Sequence, residues 1–449
     1  MGTVQKSVIF LFLVVSVLNI KGQDTRLTFQ EVDRQSYELY QKSDWKELIR
    51  FSKQAFSNGI DYYYLRFRAG VAYFETKRYM QAALQFEKAL EFNEGDFVAG
   101  EYLYGCYIEV KRSRDAYDIF EKLPPSSREK LEHSLPKLKE VNLEAAMIVS
   151  NQMEKFDTID LDGPDNIYGE TDISQDGQYF SGGLKWGFKN GYSVFGSYGY
   201  IKIDKRKLAQ IGDSLSLDDQ YPLVQHQVYL NGNIPFGKGF SVLPAFNLVL
   251  DRFETVVPRL ADDSISYLFP LKQFNYNTFI GYLSVTKDYH IIQTSFFAAY
   301  SNLNEEEQIQ AGVQVIYFPF GNLNLYLCSK LLDHINNSKG QIIFDQMVGF
   351  RISANYWAEI DATFGRMNNY HEGNAYVVYN IADEMKFKAG GKLIYTVGDR
   401  WFLTAEYMYL LREGEFIYYK QGEGLNTFEA SETRDFYNQI ALIGFKWKF

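Results

Sequence analysis

The chain ends FYNQIALIGFKWKF, residues 436–449, and this stretch decides how the larger part of the sequence folds. From position 443 its odd positions carry Ile, Phe, Trp and Phe, while the even positions from 444 carry Gly, Lys and Lys. Successive side chains of a β-strand point to opposite faces, so one face is aromatic and the other cationic. We therefore predict a strand between lipid and water, with Phe445, Trp447 and Phe449 toward lipid and Lys446 and Lys448 toward a lumen.

The same apolar–polar alternation recurs through residues 140–449, in runs longer than the five or six residues that are usual in soluble β-sandwiches. Aromatic residues gather where the runs end, as in the interfacial girdles of membrane barrels. These aromatics are Phe236, Tyr289, Phe318, Phe320, Tyr356, Trp357, Trp401 and Trp447. Run length and aromatic placement together favour a membrane barrel over a sandwich, which also alternates.

The connections between the runs are of two kinds, and this also favours a barrel. Short turns are predicted at 190–191, 237–239, 287–288, 321–322, 354–355 and 398–399. Longer polar connections are predicted at 204–222, 254–268, 302–307, 334–341, 367–384 and 414–434. Short turns on one side and long loops on the other are typical of bacterial outer-membrane barrels. Six hairpins and the terminal run account for thirteen strands.

A closed barrel with an even number of strands needs one strand more, before the first hairpin. The candidate is Leu143–Gln152, LEAAMIVSNQ, whose Leu, Glu, Ala and Met favour a helix by composition. Strand parity and the long connection that follows, 153–176, favour a strand. We therefore predict an antiparallel barrel of about 14 strands in which the first strand pairs with the last. The stretch Tyr376–Asn380 is predicted as ribbon in an extracellular loop.

A 14-stranded barrel is wider than the eight-stranded kind whose side chains fill the interior, so its lumen is either a pore or plugged. Alternation predicts charges of both signs on the inner face: Lys185, Asp345, Arg351, Glu359, Asp361, Lys386, Lys388, Lys392, Glu406, Arg412, Lys446 and Lys448. These charges form either a self-paired network that stabilises the wall or the lining of a polar conduit. The lysines on two of the strands are not obviously matched by acids nearby, which favours the conduit.

The first third of the chain has helical periodicity, clearest in RAGVAYFETKRYMQAALQFEKALEFNE, residues 68–94. Small and large residues alternate at helix-packing spacings there, and part of the pattern recurs 34 residues later. The packing positions are Gly70, Tyr73, Tyr79, Ala82, Phe86, Ala89, Tyr107, Ala116 and Phe120. This pattern resembles the tetratricopeptide repeat, although Arg66 and Glu94 depart from its Trp and Pro positions. Three repeats are expected, at 29–62, 63–96 and 97–130.

The first 22 residues are predicted to be a signal peptide, because Lys6 precedes an apolar run over 7–20 that is short for a membrane anchor. An uncleaved anchor helix is the alternative. The expected domains are a signal peptide at 1–22, a periplasmic helical domain at 23–139 and an outer-membrane barrel at 140–449.

Composition argues against several classes of function. The net charge of −10 disfavours nucleic-acid binding. Cys106 and Cys328 fall in different predicted domains, and the five histidines show no metal-ligand spacing, so we expect no disulfide, metal or cofactor. No Ser-His-acid set can be assembled from one strand, and His371 is expected to be a solvated loop residue, so we expect no enzyme activity.

With its repeats and its alternating strands together, the sequence resembles the bacterial outer-membrane proteins that join periplasmic tetratricopeptide repeats to a barrel. This group includes polysaccharide export porins and YaiO-type barrels. The resemblance implies a transport or export channel whose repeats dock a periplasmic protein. The alternatives are a non-conducting anchor for a protein-interaction scaffold and an uptake pore for a small solute. The resemblance also implies contact with outer-membrane lipid and with the barrel-assembly machinery, which reads a terminal signal such as Phe445, Trp447 and Phe449.

Overall fold

The computed structural model shows seven helices followed by a barrel. It describes residues 27–131, 138–156, 166–188, 191–211, 214–257, 259–260, 267–268, 270–380, 383–421 and 427–449. The predicted signal peptide lies outside these residues. Among them, no helix combines the length and the apolarity that crossing a membrane requires.

Six of the helices form three antiparallel pairs with a period of 34 residues. The pairs are α1 (Phe29–Gln41) with α2 (Trp45–Ser57), α3 (Tyr63–Glu75) with α4 (Tyr79–Phe92), and α5 (Phe97–Glu109) with α6 (Ser113–Phe120); α7 (Pro125–Leu131) follows. The first helices begin at 29, 63 and 97 and the second helices at 45, 79 and 113. The three predicted tetratricopeptide-like repeats are therefore confirmed.

Local sequence sets both the helix ends and the close packing. Thr28, Asp44 and Asp96 accept hydrogen bonds from backbone N–H groups at the starts of α1, α2 and α5, which leaves fewer donors unsatisfied. A Cβ atom at Gly70 would lie 2.7 Å from the Phe86 ring, so the absence of a side chain lets α3 approach α4. Of the predicted packing positions, six side chains are buried: Tyr73, Ala82, Phe86, Ala89, Tyr107 and Ala116. Tyr79 and Phe120 are partly buried.

Fourteen strands close into an antiparallel barrel. In chain order they are β1 (Leu138–Ser150), β2 (Asn166–Gly187), β3 (Ser193–Ile211), β4 (Ser214–Gly237), β5 (Phe240–Val256), β8 (Leu271–Asp288), β9 (Ile292–Ser301), β10 (Gln308–Tyr317), β11 (Leu325–Asn336), β12 (Lys339–Arg351), β13 (Tyr356–Met367), β16 (Glu384–Val397), β17 (Trp401–Gln421) and β18 (Thr427–Lys448). Two small ribbons lie in connections, β6 (Arg259–Leu260) with β7 (Tyr267–Leu268) and β14 (Tyr370–Glu372) with β15 (Val377–Tyr379). A short helix, α8 (Gln152–Phe156), follows β1.

The first and last strands close the ring as predicted. β1 pairs with β18, with Leu143 opposite Phe445 and Val141 opposite Trp447. The helix-forming composition of β1 is overridden because an unpaired β18 and an unpaired β2 would each expose a sheet edge. The strand begins at Leu138 and ends at Ser150, so the prediction of a strand at Leu143–Gln152 is confirmed in kind and shifted toward the N-terminus.

The expectation of long polar connections is wrong in four places. Residues 166–176 of the connection expected at 153–176 belong to β2. β3 and β4 run through most of 204–222, β11 and β12 leave only two residues between them within 334–341, and β17 and β18 fill much of 414–434. Polar sequence was interpreted as loop, whereas these strands continue to pair beyond the apolar zone. There, both faces of a hairpin can carry polar side chains, because water solvates them.

The outer surface of the barrel carries an exposed apolar zone. Its members include Met147, Leu184, Leu230, Leu283, Phe296, Ile342, Ile360 and Ile443. At the short-turn rim five of the eight predicted girdle aromatics are also exposed: Phe236, Tyr289, Phe320, Tyr356 and Trp401. Trp447 stacks on Trp401 with 5.0 Å between ring centroids. Phe318 is an exception because it is buried. Trp357 is the other exception: on the lumen side, its ring centroid lies 4.8 Å from the guanidinium carbon of Arg351.

Candidate functional site: the barrel lumen and its short-turn mouth

The connection between β13 and β16 folds into the barrel, and residues 368–380 are called here the lumen ribbon. Side chains from the wall bind its backbone: Tyr229 of β4 donates to the carbonyl of Asn374 at 3.0 Å, and Asn247 of β5 donates to that of Ala375 at 2.8 Å. Across the lumen, Tyr376 donates to Glu144 of β1 at 3.1 Å. Strands on different sides of the ring, among them β1, β4 and β5, thus contact the ribbon. The ribbon therefore crosses the lumen.

Apolar contacts also attach the lumen ribbon to the barrel wall. Tyr370 is completely buried against Phe297, Leu332 and Met385 of the wall. Ala375 and Val378 pack on a second cluster around Val249 and Ile280 of β5 and β8. The prediction of ribbon at Tyr376–Asn380 is confirmed as secondary structure, but its position is inside the barrel. The expectation of a solvated His371 was wrong, because its side chain is 2% exposed.

One row of charges on the inner wall ties the ribbon to β16. Lys388 donates to Glu372 of the ribbon at 2.6 Å and lies 3.7 Å from Asp361 of β13. Asp345 of β12 and Lys330 of β11 are directly opposite each other on neighbouring strands and extend this row. The row is therefore largely self-paired, with one lysine serving an acid of the wall and an acid of the ribbon.

A second row is also paired. Lys392 of β16 forms an ion pair with Glu406 of β17 at 3.0 Å. Glu359 is opposite Lys392 on β13 and accepts a hydrogen bond from Tyr326. The lysines of β16 are thus matched by acids, which supports the wall-stabilising interpretation for this part of the lumen.

Lys386 does not face the lumen. The register between β16 and β17 shifts between Met385 and Phe387, so a bulge turns Lys386 outward, where it pairs with Glu413 and with Asp435 at 2.8 Å. Strict alternation assigned it to the inner face, and the extra residue reverses the side on which it lies. Met385 takes the inward position instead and packs on the ribbon.

The short-turn mouth has a different charge pattern. In the strand register, Glu140 of β1 lies directly between Lys448 of β18 and Lys185 of β2, so the three side chains share one face. Lys446, one step further in, lies 3.5 Å from the same Glu140. Lys111, in the turn between α5 and α6, faces this group, and its pKa is lowered by burial and by the nearby Lys185 and Lys446. We call Lys111, Lys185, Lys446 and Lys448 the mouth lysines; Glu140 is the acid that lies among them.

The helical repeats are seated on the short-turn rim. The N–H of Met80 donates to the carbonyl of Gly321 at 3.2 Å, and Asn322 donates to the carbonyl of Lys77 at 3.2 Å. Asp115 accepts from the backbone of the β4–β5 turn, including Gly239 at 3.1 Å. The turns within the repeats therefore meet the turns of the barrel, and a cavity of about 900 Å³ lies between them.

An ion-paired cluster fixes this seat. Glu87 of α4 contacts His290 of the β8–β9 turn at 3.0 Å and accepts from Tyr107 at 2.6 Å, while Arg112 lies 3.3 Å away. Burial opposes ionisation of Glu87, but these partners outweigh it and hold its pKa below the usual range. Burial and the Glu87 carboxylate raise the pKa of Tyr107, so the phenol stays protonated and remains a donor.

The remaining predicted residues lie apart from these groups. Arg351 lies at the mouth, where it donates to the carbonyls of Ser353 and Ala354. Arg412 is buried in the lumen, far along β17 from the mouth. Cys106 and Cys328 are free thiols on α5 and β11. Within the part of the chain that the structure describes, no three His, Cys, Asp or Glu side chains are grouped as a metal site.

Sequence reasoning missed Lys111, Glu140 and the ribbon acid Glu372 as members of these groups. Glu140 lies at the predicted domain boundary and Lys111 lies in the turn between α5 and α6, so alternation assigns neither side chain to a face. A usable signal existed for the ribbon: Tyr370, Val377, Val378 and Tyr379 are too apolar for an exposed loop.

Comparisons with known proteins add little to this geometry. No family model matches the chain, and no curated protein matches it. Among solved structures, the MamA double mutant of RS-1 is 20% identical over 21% of this chain and 53% of its own, with a TM-score of 0.19. This chain thus spans about half the length of that protein.

Two barrels also match. The TodX deltaS2S3 mutant, a monoaromatic hydrocarbon channel, is 8% identical over 70% of this chain and 91% of its own, with a TM-score of 0.34. The KdgM porin is 10% identical over 63% of this chain and 99% of its own, with a TM-score of 0.25. Because all three scores are low, the assignment of the fold rests on the helix period and strand pairing described above.

Proposed function

We propose that the protein is an outer-membrane channel for anionic solutes, closed by the lumen ribbon, whose periplasmic repeats dock a protein partner. The observation that carries the proposal is the independence of the ribbon from the barrel: fourteen strands pair in a closed ring without it. The ribbon is attached through side chains and apolar packing rather than through strand pairing with the wall. It can therefore leave the lumen without opening the barrel.

The exterior supports a membrane location. An apolar outer zone bounded by aromatics is what a lipid bilayer requires of a barrel, whereas a soluble barrel of this size would expose that zone to water. In barrels of the bacterial outer membrane the short turns face the periplasm. On that orientation the helical repeats, which are seated on the short turns, lie in the periplasm.

The mouth lysines support a preference for anions. Several cations around one acid create a positive potential, and a low-dielectric wall concentrates that field along the opening. The helical repeats contribute Lys111 to it, so any solute that enters from this side passes between the two parts of the chain.

The exposed aromatics of the repeats support docking of a partner. Phe29, Tyr37, Tyr64 and Phe97 lie on α1, α3 and α5, the first helices of the three pairs, and are between 48% and 60% exposed. Stacked helix pairs of this kind present one continuous face, and grouped exposed aromatics are typical of interaction surfaces. The described contacts with the barrel come from α4, α6 and the turns that precede them, and none of them involves these four aromatics.

Single-channel recording tests the channel. Purified wild-type protein in a planar bilayer is expected to be closed most of the time, and a variant in which Gly-Ser residues replace 370–379 is expected to conduct steadily. The matched control replaces the ten residues 259–268, in another connection on the same side of the barrel, and should behave as wild type. If the ribbon variant forms a folded barrel that does not conduct, the protein is a non-conducting anchor for the repeats.

Site-specific cross-linking tests docking. A photoreactive residue at position 64 of the full chain is expected to capture one discrete partner in cells, and the same residue at position 92, exposed on α4, is expected not to. Equal labelling at the two positions would mean that the repeats act only as a spacer.

A further inference from the structure

A cavity of about 270 Å³ lies inside the barrel between the lumen ribbon and the wall formed by β1–β4, β17 and β18. One part of its lining is apolar: Ile148, Ile203, Val378, Met408, Leu410 and Ile440. This volume is at the small end of the range of about 300–1,000 Å³ that small-molecule sites occupy. The cavity therefore suits a small molecule with an apolar body.

Arg412 lines this cavity with unused donors. Its side chain is 2% exposed, and among the described residues its Nε and Nη1 atoms have no hydrogen-bond partner. Asp383 attracts the guanidinium through space, yet no ion pair joins them in the described part of the chain. Buried guanidinium donors that lack hydrogen-bond acceptors are costly, because burial removes the water that would otherwise bind them.

Two more buried polar groups face the same space. The Nε2 atom of Gln225 and the Oδ1 atom of Asn438 also have no partner among the described residues, and their side chains are 2% and 3% exposed. Asn438 is opposite Leu410, which lies two residues before Arg412 on β17. Unsatisfied groups on both sides of the cavity indicate a site that is complete only when a polar ligand is bound.

The acids that line the cavity do not serve Arg412, because each has a partner of its own. Glu372 pairs with Lys388 at 2.6 Å and Glu406 pairs with Lys392 at 3.0 Å. Glu144 accepts from Tyr376 at 3.1 Å and from Ser181 at 3.1 Å. Arg412 is thus a cation of the cavity that does not pair with Glu372, Glu406 or Glu144, and its Nε and Nη1 donors are available to a ligand.

We propose that Arg412 binds the anionic head group of a small amphipathic molecule whose apolar body lies on the Ile148, Met408 and Leu410 side of the cavity. A guanidinium accommodates carboxylate or phosphate in a two-pronged hydrogen-bonded geometry, and the apolar wall rejects ions that lack a body. The inference deepens and rests on the proposed function, since the cavity lies beside the ribbon that closes the channel.

Binding is measured on the full chain in lipid nanodiscs by isothermal titration with phenylacetate and with phenylacetamide, which have similar shapes and differ in charge. Wild type is expected to bind phenylacetate about 30-fold more tightly or better, the scale expected for a desolvated charge pair. Arg412→Met should abolish the difference, whereas Arg412→Lys should keep a reduced preference. Arg366→Met, at an exposed arginine paired with Glu384, is the control and should match wild type.

Equal binding of the two probes by wild type, no binding of phenylacetate, or a preference that persists in Arg412→Met would overturn the proposal. Heat-modifiable migration in gels shows whether each variant is a folded barrel, and Arg412→Lys keeps the test decisive if the methionine variant does not fold. The titration requires no conductance, so failure of this inference and failure of the channel are separate results.

Discussion

The strands β16 and β18 both carry lysines on the inner face of the barrel, in opposite surroundings. On β16, Lys388 and Lys392 each lie within ion-pair distance of an acid on a neighbouring element. On β18, Lys446 and Lys448 face further lysines, and Glu140 is the acid among them. The same residue type on the inner face of two strands thus produces a paired wall in one place and an unbalanced charge in the other.

The difference between the two strands separates lysines that fix the position of a partner from lysines that create a positive potential. A buried, paired lysine fixes the position of whatever carries its partner, and here the partner Glu372 belongs to the ribbon. A group of four lysines around one acid has an excess of positive charge, which attracts anions. The wall-stabilising interpretation therefore describes β16, and the conduit interpretation stays a proposal for β18.

The largest effect is expected from removing the paired lysine. Lys388→Met leaves Glu372 and Asp361 buried without their cation, which should cost about 3–5 kcal/mol of the free energy of unfolding and loosen the ribbon. Urea unfolding followed by tryptophan fluorescence measures the first effect, and open probability in a bilayer measures the second.

Lys386→Met, two residues away on the same strand, is the matched control. Lys386 pairs with Asp435 on the outside, where ion pairs contribute about 0–1 kcal/mol. Equal losses of stability for the two variants would show that Lys388 does not hold the ribbon.

The next effect concerns the repeats, which supply Lys111 to the mouth. Gly70→Ala places a Cβ atom 2.7 Å from the Phe86 ring, so overpacking between α3 and α4 should destabilise the repeats by about 1–3 kcal/mol. Circular dichroism at 222 nm in urea reports it. Gly105→Ala is the control, because its Cβ atom would meet Phe74 at an ordinary 3.5 Å, and it should be neutral or stabilising.

Removing the unbalanced lysines should have little effect on stability. Lys446→Gln with Lys448→Gln relieves repulsion among the mouth lysines while losing one ion pair with Glu140, so the net change should stay within about 1 kcal/mol. The same urea assay applies. A loss as large as that of Lys388→Met would remove the distinction between the two strands.

The smallest expected effect is the pH dependence of the contact between the helical repeats and the short-turn rim of the barrel. The pKa of Glu87 is lowered in the folded protein, so its contribution is present above the unfolded value of about 4.3 and is lost as pH falls through the folded value. Cross-linking between the repeats and the β8–β9 turn should therefore decline as the pH falls below about 4. In Glu87→Gln this acid-dependent decline should be smaller; an unchanged decline would assign it to another group.

Much of the architecture could be predicted from the sequence because its signals are periodic. The 34-residue period located each helix pair, and two-residue alternation with strand parity gave the fourteen strands, including β1 against its own composition. Prediction from periodicity fails where a strand contains an extra residue. Strict alternation does not include the bulge before Phe387, and it therefore assigns Lys386 to the wrong face.

The site was less predictable because its contacts are long-range. The sequence around Glu372 does not indicate that this residue pairs with Lys388. Likewise, the sequence around Lys111, in a helix turn, does not indicate that it lies near Lys446 of the last strand. Such pairs depend on how the connection between β13 and β16 folds inward and on how the repeats are seated on the rim. Neither is encoded in the period of a strand or a helix.

We propose that an anion-selective conduit lies behind the ribbon, and the reversal potential of an open variant measures this selectivity. The variant with Gly-Ser residues in place of 370–379 is recorded between unequal concentrations of potassium chloride. We expect a reversal potential whose sign shows preference for chloride, and a shift toward zero when Lys446→Gln and Lys448→Gln are added. Preference for potassium, or a reversal potential that the lysine substitutions leave unchanged, would show that the mouth lysines do not make the lumen selective for anions.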